Sequence, residues 1–286
     1  AWPRDFGTIA GSVRFGWEVV VARLAWYFYS NADFLVIGRI LGNAALGAYT
    51  VGWTLASVPV DRVTALVGTV ASPVFSAVQH DPAALRRYLR NLTEGIAFLT
   101  FPAAVGLALV ADEFVLLVLG EHWRAAILPL RLLALSSALR SVSSLLPNVA
   151  VAMGHTRRNM QLTIVAALVL PFLFYIGTRW GTAGVAAAWV VGHPLFVMPW
   201  FLFYALHLIR LPLAHYLTAL GPAATGTALM ALTVLAARAA TPEPWPLPVA
   251  LAVHVLAGAA AYAAFAWLWQ RERLALLWTL CRQMRS

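Results

Sequence analysis

Seven ionisable side chains stand inside otherwise apolar runs: Glu18, Arg23 and Asp33, then Asp61 and Arg62, then Arg131 and Arg140. A charge at the centre of a membrane helix costs about 2.5–3.5 kcal/mol on insertion scales, and such residues usually face a bundle interior or a wet cavity. Their spacing sharpens this. Arg14, Glu18, Ala22, Ala25, Tyr29 and Asp33 recur at steps of three or four, so one helix would carry them on one face. Thr54, Ser57, Asp61, Thr64, Gly68 and Ser72 do the same. Ser137, Ser141, Ser144 and Asn148 form a third polar stripe with Arg140 beside it. Three such faces can enclose a hydrated, charged cavity, whose chemistry is binding and ion pairing.

Plainer readings stand beside these. Asp61 and Arg62 can sit near a membrane surface or pair structurally with other helices. Arg131 and Arg140 can snorkel. Small polar residues also serve plain helix packing. Asp33 can cap the turn that follows it, and His193 beside Pro194 suits a kink better than a ligand. Bond-breaking chemistry finds no support: the seven histidines form no HExxH or close metal pair, and neither a GxSxG elbow nor a P-loop is present. No cofactor and no metal are therefore expected. Transport, without an ATP site, would be driven by an ion gradient or by substrate supply.

The elements that must position these residues are membrane helices. The chain is 62% hydrophobic and only 11% charged, against about 25% charged residues in a soluble domain. The segmentation predicts an interfacial linker over 1–10 and spans at about 12–41, 44–78, 92–110, 123–153, 159–180, 184–206, 213–237 and 249–269. Prolines interrupt several of them. ADEFVLLVLGEHW is too short to span and reads as a re-entrant or interfacial helix. Residues 271–286 read as a basic amphipathic tail lying on a membrane surface. The fold class is thus an all-α integral membrane protein of about eight transmembrane helices.

All basic residues are arginine and the net charge is +9. They are scattered between apolar runs, which argues against a nucleic-acid partner. With the chain starting inside, ten loop and tail arginines fall on the cytoplasmic side against four outside, so the positive-inside rule places both ends in the cytoplasm. The single Cys281 excludes an intrachain disulfide or a cysteine metal cluster. The opening WPRDFG reads as a linker, so a fragment of a longer protein is expected.

NADFLVIGRILGNAALGAYTVGWTLASVP, at 31–59, resembles the polysaccharide (O-antigen and exopolysaccharide) flippases of the MOP transporter superfamily. The likeness continues through SPVFSAVQHDPAALRRYL, FPAAVGLALVADEFVLLVLGEHW, AAILPLRLLAL and AMGHTRR, in the order such a protein would have. The resemblance implies two six-helix lobes related by a pseudo-two-fold axis. This chain would supply the second lobe (11–208) and two extra helices (209–270), with the first lobe as its missing partner. It also implies an undecaprenyl-pyrophosphate-linked oligosaccharide as substrate, moved across the bacterial inner membrane by alternating access among membrane lipids, with no enzymatic step. On that reading Arg23, Arg62 and Arg140 attract the pyrophosphate or acidic sugars, while Glu18, Asp33 and Asp61 hold those arginines or carry a coupling proton. Two alternatives stay open. Cation-coupled drug efflux predicts an acid-dominated cavity, and a membrane-embedded glycosyl or acyl transferase predicts a loop carboxylate or histidine pair.

Overall fold

The computed structural model describes residues 6–240 and 246–269, and all its elements are helical. The proposed tail at 271–286 lies outside the described residues. Helix α1 (Phe6–Ile40) starts inside the stretch expected as a linker and runs unbroken for 35 residues. A turn at Gly42, with φ 87°, leads into α2 (Asn43–Ala77), which contains Pro59 and Pro73. Helix α3 (Pro82–Leu109) begins ten residues before the expected span. Asp81 caps it, accepting the amides of Ala83 and Ala84, and Pro82 supplies a preset first-turn φ. Arg86, Arg87 and Arg90 therefore stand on the first turns of a membrane helix, not on a loop.

The short α4 (Ala111–Val118) occupies the acidic stretch expected to be interfacial. A 3₁₀ turn at Glu121–Ala126 leads into α5 (Ile127–Ser143), and a break before Pro147 separates α6 (Leu146–Ala152). Then follow α7 (Thr156–Gly177), α8 (Gly181–Ala187) and α9 (Met198–Leu208). Between α8 and α9 the backbone widens into a π-helix over Ala188–Val197. The interruption expected at Gly192-His193-Pro194 is thus a local unwinding, the type of irregularity often found at functional sites. Helices α10 (Leu213–Ala240) and α11 (Leu247–Trp269) complete the described chain.

Six helical segments are long and apolar enough to cross a membrane: 43–77, 82–109, 121–152, 156–208, 213–240 and 247–268. Helix α1 is not among them, because its charged residues lower its hydropathy. Within 156–208 the chain folds back on itself. A side chain at Gly177 would meet the carbonyl oxygen of Gly184 at 2.7 Å, so only glycine lets α7 and α8 close so tightly.

Two buried clusters hold the bundle. One joins Tyr29, Ile37, Tyr49, Leu130, Phe174 and Trp189 from α1, α2, α5, α7 and the π stretch. The other joins Phe75, Leu85, Leu89, Val142, Leu206 and Tyr216 from α2, α3, α5, α9 and α10. Outward positions are apolar as well, among them Trp17, Leu24, Leu66, Leu168 and Leu256. In water such a surface would be a liability; in lipid it is the expected exterior. Helices α10 and α11 attach to the bundle through α3, where the Tyr262 hydroxyl donates to the Phe98 carbonyl at 2.7 Å. A second tie is ionic: Arg238 meets Asp112 at 3.1 Å and Glu113 at 3.0 Å, Arg131 also pairs with Asp112, and His254 lies 3.4 Å from Glu113. Arg131 is an ion-paired strut between α5 and α4.

Candidate functional site

Helices α1, α2, α5, α6, α9 and the π stretch enclose a cavity of about 400 Å³. Trp26, Tyr29 and Ser30 come from α1, and Trp53, Val60, Asp61 and Thr64 from α2. Arg140, Ser141 and Ser143 come from α5, with Ser144 and Pro147 at the α5–α6 break. Trp189, His193 and Val197 come from the π stretch, and Met198 and Phe201 from α9. The wall is therefore aromatic and hydroxylic around one guanidinium and one carboxylate.

Arg140 is the centre of it. Its guanidinium carbon lies 4.4 Å from the Trp53 ring centre and 5.0 Å from that of Trp189. Two indole faces hold the cation by its attraction to their π electrons. Among the described residues no carboxylate lies within ion-pair distance of it. Its charge is thus held in place without being spent. The two indoles are themselves fixed: their centres are 5.4 Å apart, and Phe34 meets Trp53 edge-on at 5.6 Å.

Behind the wall sits Asp33, fully buried. Its Oδ2 accepts the Trp189 indole N–H at 2.9 Å and the Tyr49 hydroxyl at 2.7 Å. Among the described residues Asp33 forms no ion pair with an arginine. It anchors Trp189, and Trp189 carries Arg140. The π-helical widening places Trp189 and His193 on the same wall, and the His193 Nδ1 is buried without a hydrogen-bond partner among the described residues.

The other expected site residues are dispersed. Asp61 lines the cavity at an exposed position, with no ion pair among the described residues. Arg62, its neighbour, turns about 100° away around the helix and lies outside the lining. Arg23 is exposed and also outside it. Glu18 is buried far along α1, where it pairs with Arg14 at 3.1 Å and accepts the Thr156 hydroxyl, tying α1 to the start of α7. Helix α1 packs chiefly along α7, and of its polar stripe only Tyr29 lines the cavity. Ser136, Ser137 and Ser141 bond carbonyls three residues back in their own helix, and Ser141 meets Thr100 at 2.8 Å. Ser137 is therefore a packing residue, while Ser141 and Ser144 of the stripe line the cavity.

Sequence reasoning missed Trp53, Trp189 and His193 as a group. Trp189 and His193 stand four apart beside Pro194, which was visible as a kink. Nothing in the chain order pairs them with Trp53 or Asp33.

Residues 1–128 match the family model described as "Polysaccharide biosynthesis protein". The chain is related to the polysaccharide biosynthesis proteins. It is 32% identical over 146 residues to the teichuronic acid biosynthesis protein TuaB of Bacillus subtilis (strain 168), a stretch that is 51% of this chain and 30% of that protein. It is 28% identical over 188 residues to the lipopolysaccharide biosynthesis protein WzxC of Escherichia coli (strain K12), covering 65% of this chain and 38% of that protein. The chain thus spans about a third of the length of these curated relatives. Its fold matches the lipid II flippase MurJ in an inward closed conformation with a TM-score of 0.68, at 15% identity over 88% of this chain and 53% of that one. The likeness to MurJ is one of fold alone. The apolar helices and these relatives make this polysaccharide-biosynthesis relative a multi-pass membrane protein.

Proposed function

We propose that the chain forms one lobe of a flippase that moves an undecaprenyl-pyrophosphate-linked oligosaccharide across the bacterial inner membrane by alternating access. The observation that carries this is Arg140: a guanidinium clamped by two indoles, with no ion pair among the described residues, in a cavity among membrane helices. Such a group binds a phosphate anion strongly because it is weakly hydrated and always charged. Aromatic and hydroxyl groups around it offer surfaces for sugars. Asp61 is the cavity's carboxylate, and it serves as the coupling or counter-charge group. The chemistry is transfer between two sides of a membrane, with no bond made or broken. One arginine and one carboxylate in the lining do not make the acid-dominated cavity that cation efflux would use.

The lobe crosses the membrane eight times on this reading. The 53-residue segment 156–208 would be about 80 Å long if straight, so it counts as two crossings, and α1 adds the eighth. Contacts between helix ends support the alternation. Arg86 at the start of α3 donates to the carbonyls of Ile209 and Arg210, on the cytoplasmic side; Arg238 meets Asp112 on the outer side. Both ends of the segment are cytoplasmic. Half a cavity does not alternate, so a second lobe completes the carrier. The match to 53% of the flippase fold supports that.

The test is replacement of Arg140 by Ala and by Lys in the full-length protein, in cells lacking the native copy. Arg140→Ala is expected to abolish surface polysaccharide and to accumulate the lipid-linked intermediate. Arg140→Lys keeps the charge but loses the planar stacking face, and is expected to restore only part. Normal levels of both products in the Ala variant would remove Arg140 from the transport path.

A further inference from the structure

At the end of the bundle where α3 begins and α9 passes into α10, two recesses meet. The first, about 410 Å³, is walled by Arg86, Arg87 and Arg90 from α3 and by Arg210 and His215 opposite them. The second, about 990 Å³, runs between α7 and α9 and is mainly apolar, with Trp200, Phe203 and Leu206 in its wall. Arg210, Leu211 and Pro212 border both. Neither shares a lining residue with the central cavity.

The arginines of the first recess are uncompensated. Among the described residues none of the four forms an ion pair. Of the two acids nearest in sequence, Asp81 is occupied in capping α3, and Glu94, one turn beyond Arg90, lies outside the recess lining. Like charges gathered around one small recess repel, and an anion seated among them would remove that repulsion. The arrangement is also built, not a chance of loose side chains. The Arg86 Nη1 donates to the carbonyl of Ile209 at 3.2 Å and of Arg210 at 3.4 Å, locking the α9–α10 corner onto α3. Arg210 itself is held at φ 53°, the one non-glycine residue with positive φ among the described residues, a conformation with a steric cost.

We infer that these two recesses form a single binding site for an anionic phospholipid of the surrounding bilayer. Its phosphate sits among Arg87, Arg90 and Arg210, and an acyl chain lies along Trp200 and Phe203. Basic pockets between membrane helices at a membrane surface take anionic headgroups for this reason, at about 1 kcal/mol per basic residue, which is about fivefold in affinity. The site rests on the chain's being a membrane protein and not on what it transports.

The experiment uses the intact protein, purified and delipidated in detergent. Native mass spectrometry would follow binding of phosphatidylglycerol, of phosphatidylcholine and of inorganic phosphate. Phosphatidylglycerol is expected to bind at least about tenfold more tightly than phosphatidylcholine. The double variant Arg87→Gln/Arg90→Gln removes two outward side chains that make no hydrogen bond among the described residues. It is expected to lose that preference at an unchanged melting temperature. Trp200→Ala is expected to weaken phosphatidylglycerol retention severalfold. Should the double variant melt lower, Arg210→Gln alone gives an independent reading of the same recess. Equal binding of the two lipids, or full preference surviving in the arginine variants, overturns the inference. So does displacement of the lipid by millimolar inorganic phosphate, which would make the site one for a free phosphate group. Failure here leaves the transport reading standing, because Arg140 is not involved.

Discussion

Asp33 is the residue on which the cavity wall depends, although it never reaches the cavity. Its carboxylate accepts two buried donors, the Trp189 indole and the Tyr49 hydroxyl. Removing an acceptor and leaving buried donors unmet costs about 1–3 kcal/mol each. Asp33→Ala should therefore lower the melting temperature of the purified protein by several degrees and change its tryptophan fluorescence. Asp33→Asn, which keeps an acceptor oxygen, should retain more of both. The two variants separate positioning from charge: if Asn matches wild type in stability yet fails in polysaccharide export, the negative charge itself is used. Trp189→Phe tests the next link. It keeps an aromatic face under Arg140 but gives up the bond to Asp33, so export should fall less than in Trp189→Ala.

Helix α2 reaches its place because Gly52 lets it lie against α5. A side chain there would meet the Leu130 backbone nitrogen at 3.0 Å and the Ala126 carbonyl oxygen at 3.3 Å. Backbone cannot yield as a side-chain tip can, so Gly52→Val should push α2 away and with it Trp53 from Arg140. The cost expected is about 1–3 kcal/mol, read as a lower melting temperature together with reduced export. At the other edge, α10 and α11 are tied to α4 and α5 by Arg238, Asp112, Glu113 and Arg131. The Glu113 side chain is only 8% exposed, so breaking its pair strands a buried charge. Arg238→Ala should therefore loosen α10 and α11, seen as faster hydrogen exchange in those two helices while α1 and α2 stay protected. Equal protection throughout would show that lipid contacts alone hold them. Helix existence was legible from hydropathy, and so were the break near Pro194 and the short acidic helix. The start of α3 was not, because its first three turns carry arginines that read as loop; the Asp81-Pro82 cap was the signal that a helix begins there.

For the molecule as a whole, the proposed eight crossings with cytoplasmic ends make a direct prediction. In a Cys281→Ser background, single cysteines at Thr178 and at Gly120 should react with an impermeant thiol reagent added outside intact spheroplasts. One at Met153 should react only after the membrane is opened. Reaction of Met153→Cys from outside would overturn the topology. The amino-acid order alone determined that this is an all-helical membrane chain, since burying 62% apolar residues with 11% charged ones leaves few other solvents. It also determined which polar residues were out of place, because a charge in an apolar run is visible without coordinates. Periodicity put Tyr29, Asp33 and Glu18 on one face of α1, and that face is the buried one except at its Arg14 end. What periodicity cannot decide is which neighbour a face meets. Helix α1 packs chiefly along α7, where Glu18 became a helix tie, while Arg23 and Arg62 fell outside the lining. Only the tertiary packing brought Asp33, Trp53, Arg140 and Trp189 together. They come from four separate elements, the outermost 156 residues apart in the chain, and contact over that distance depends on how the helices stack, not on the local pattern of any one of them.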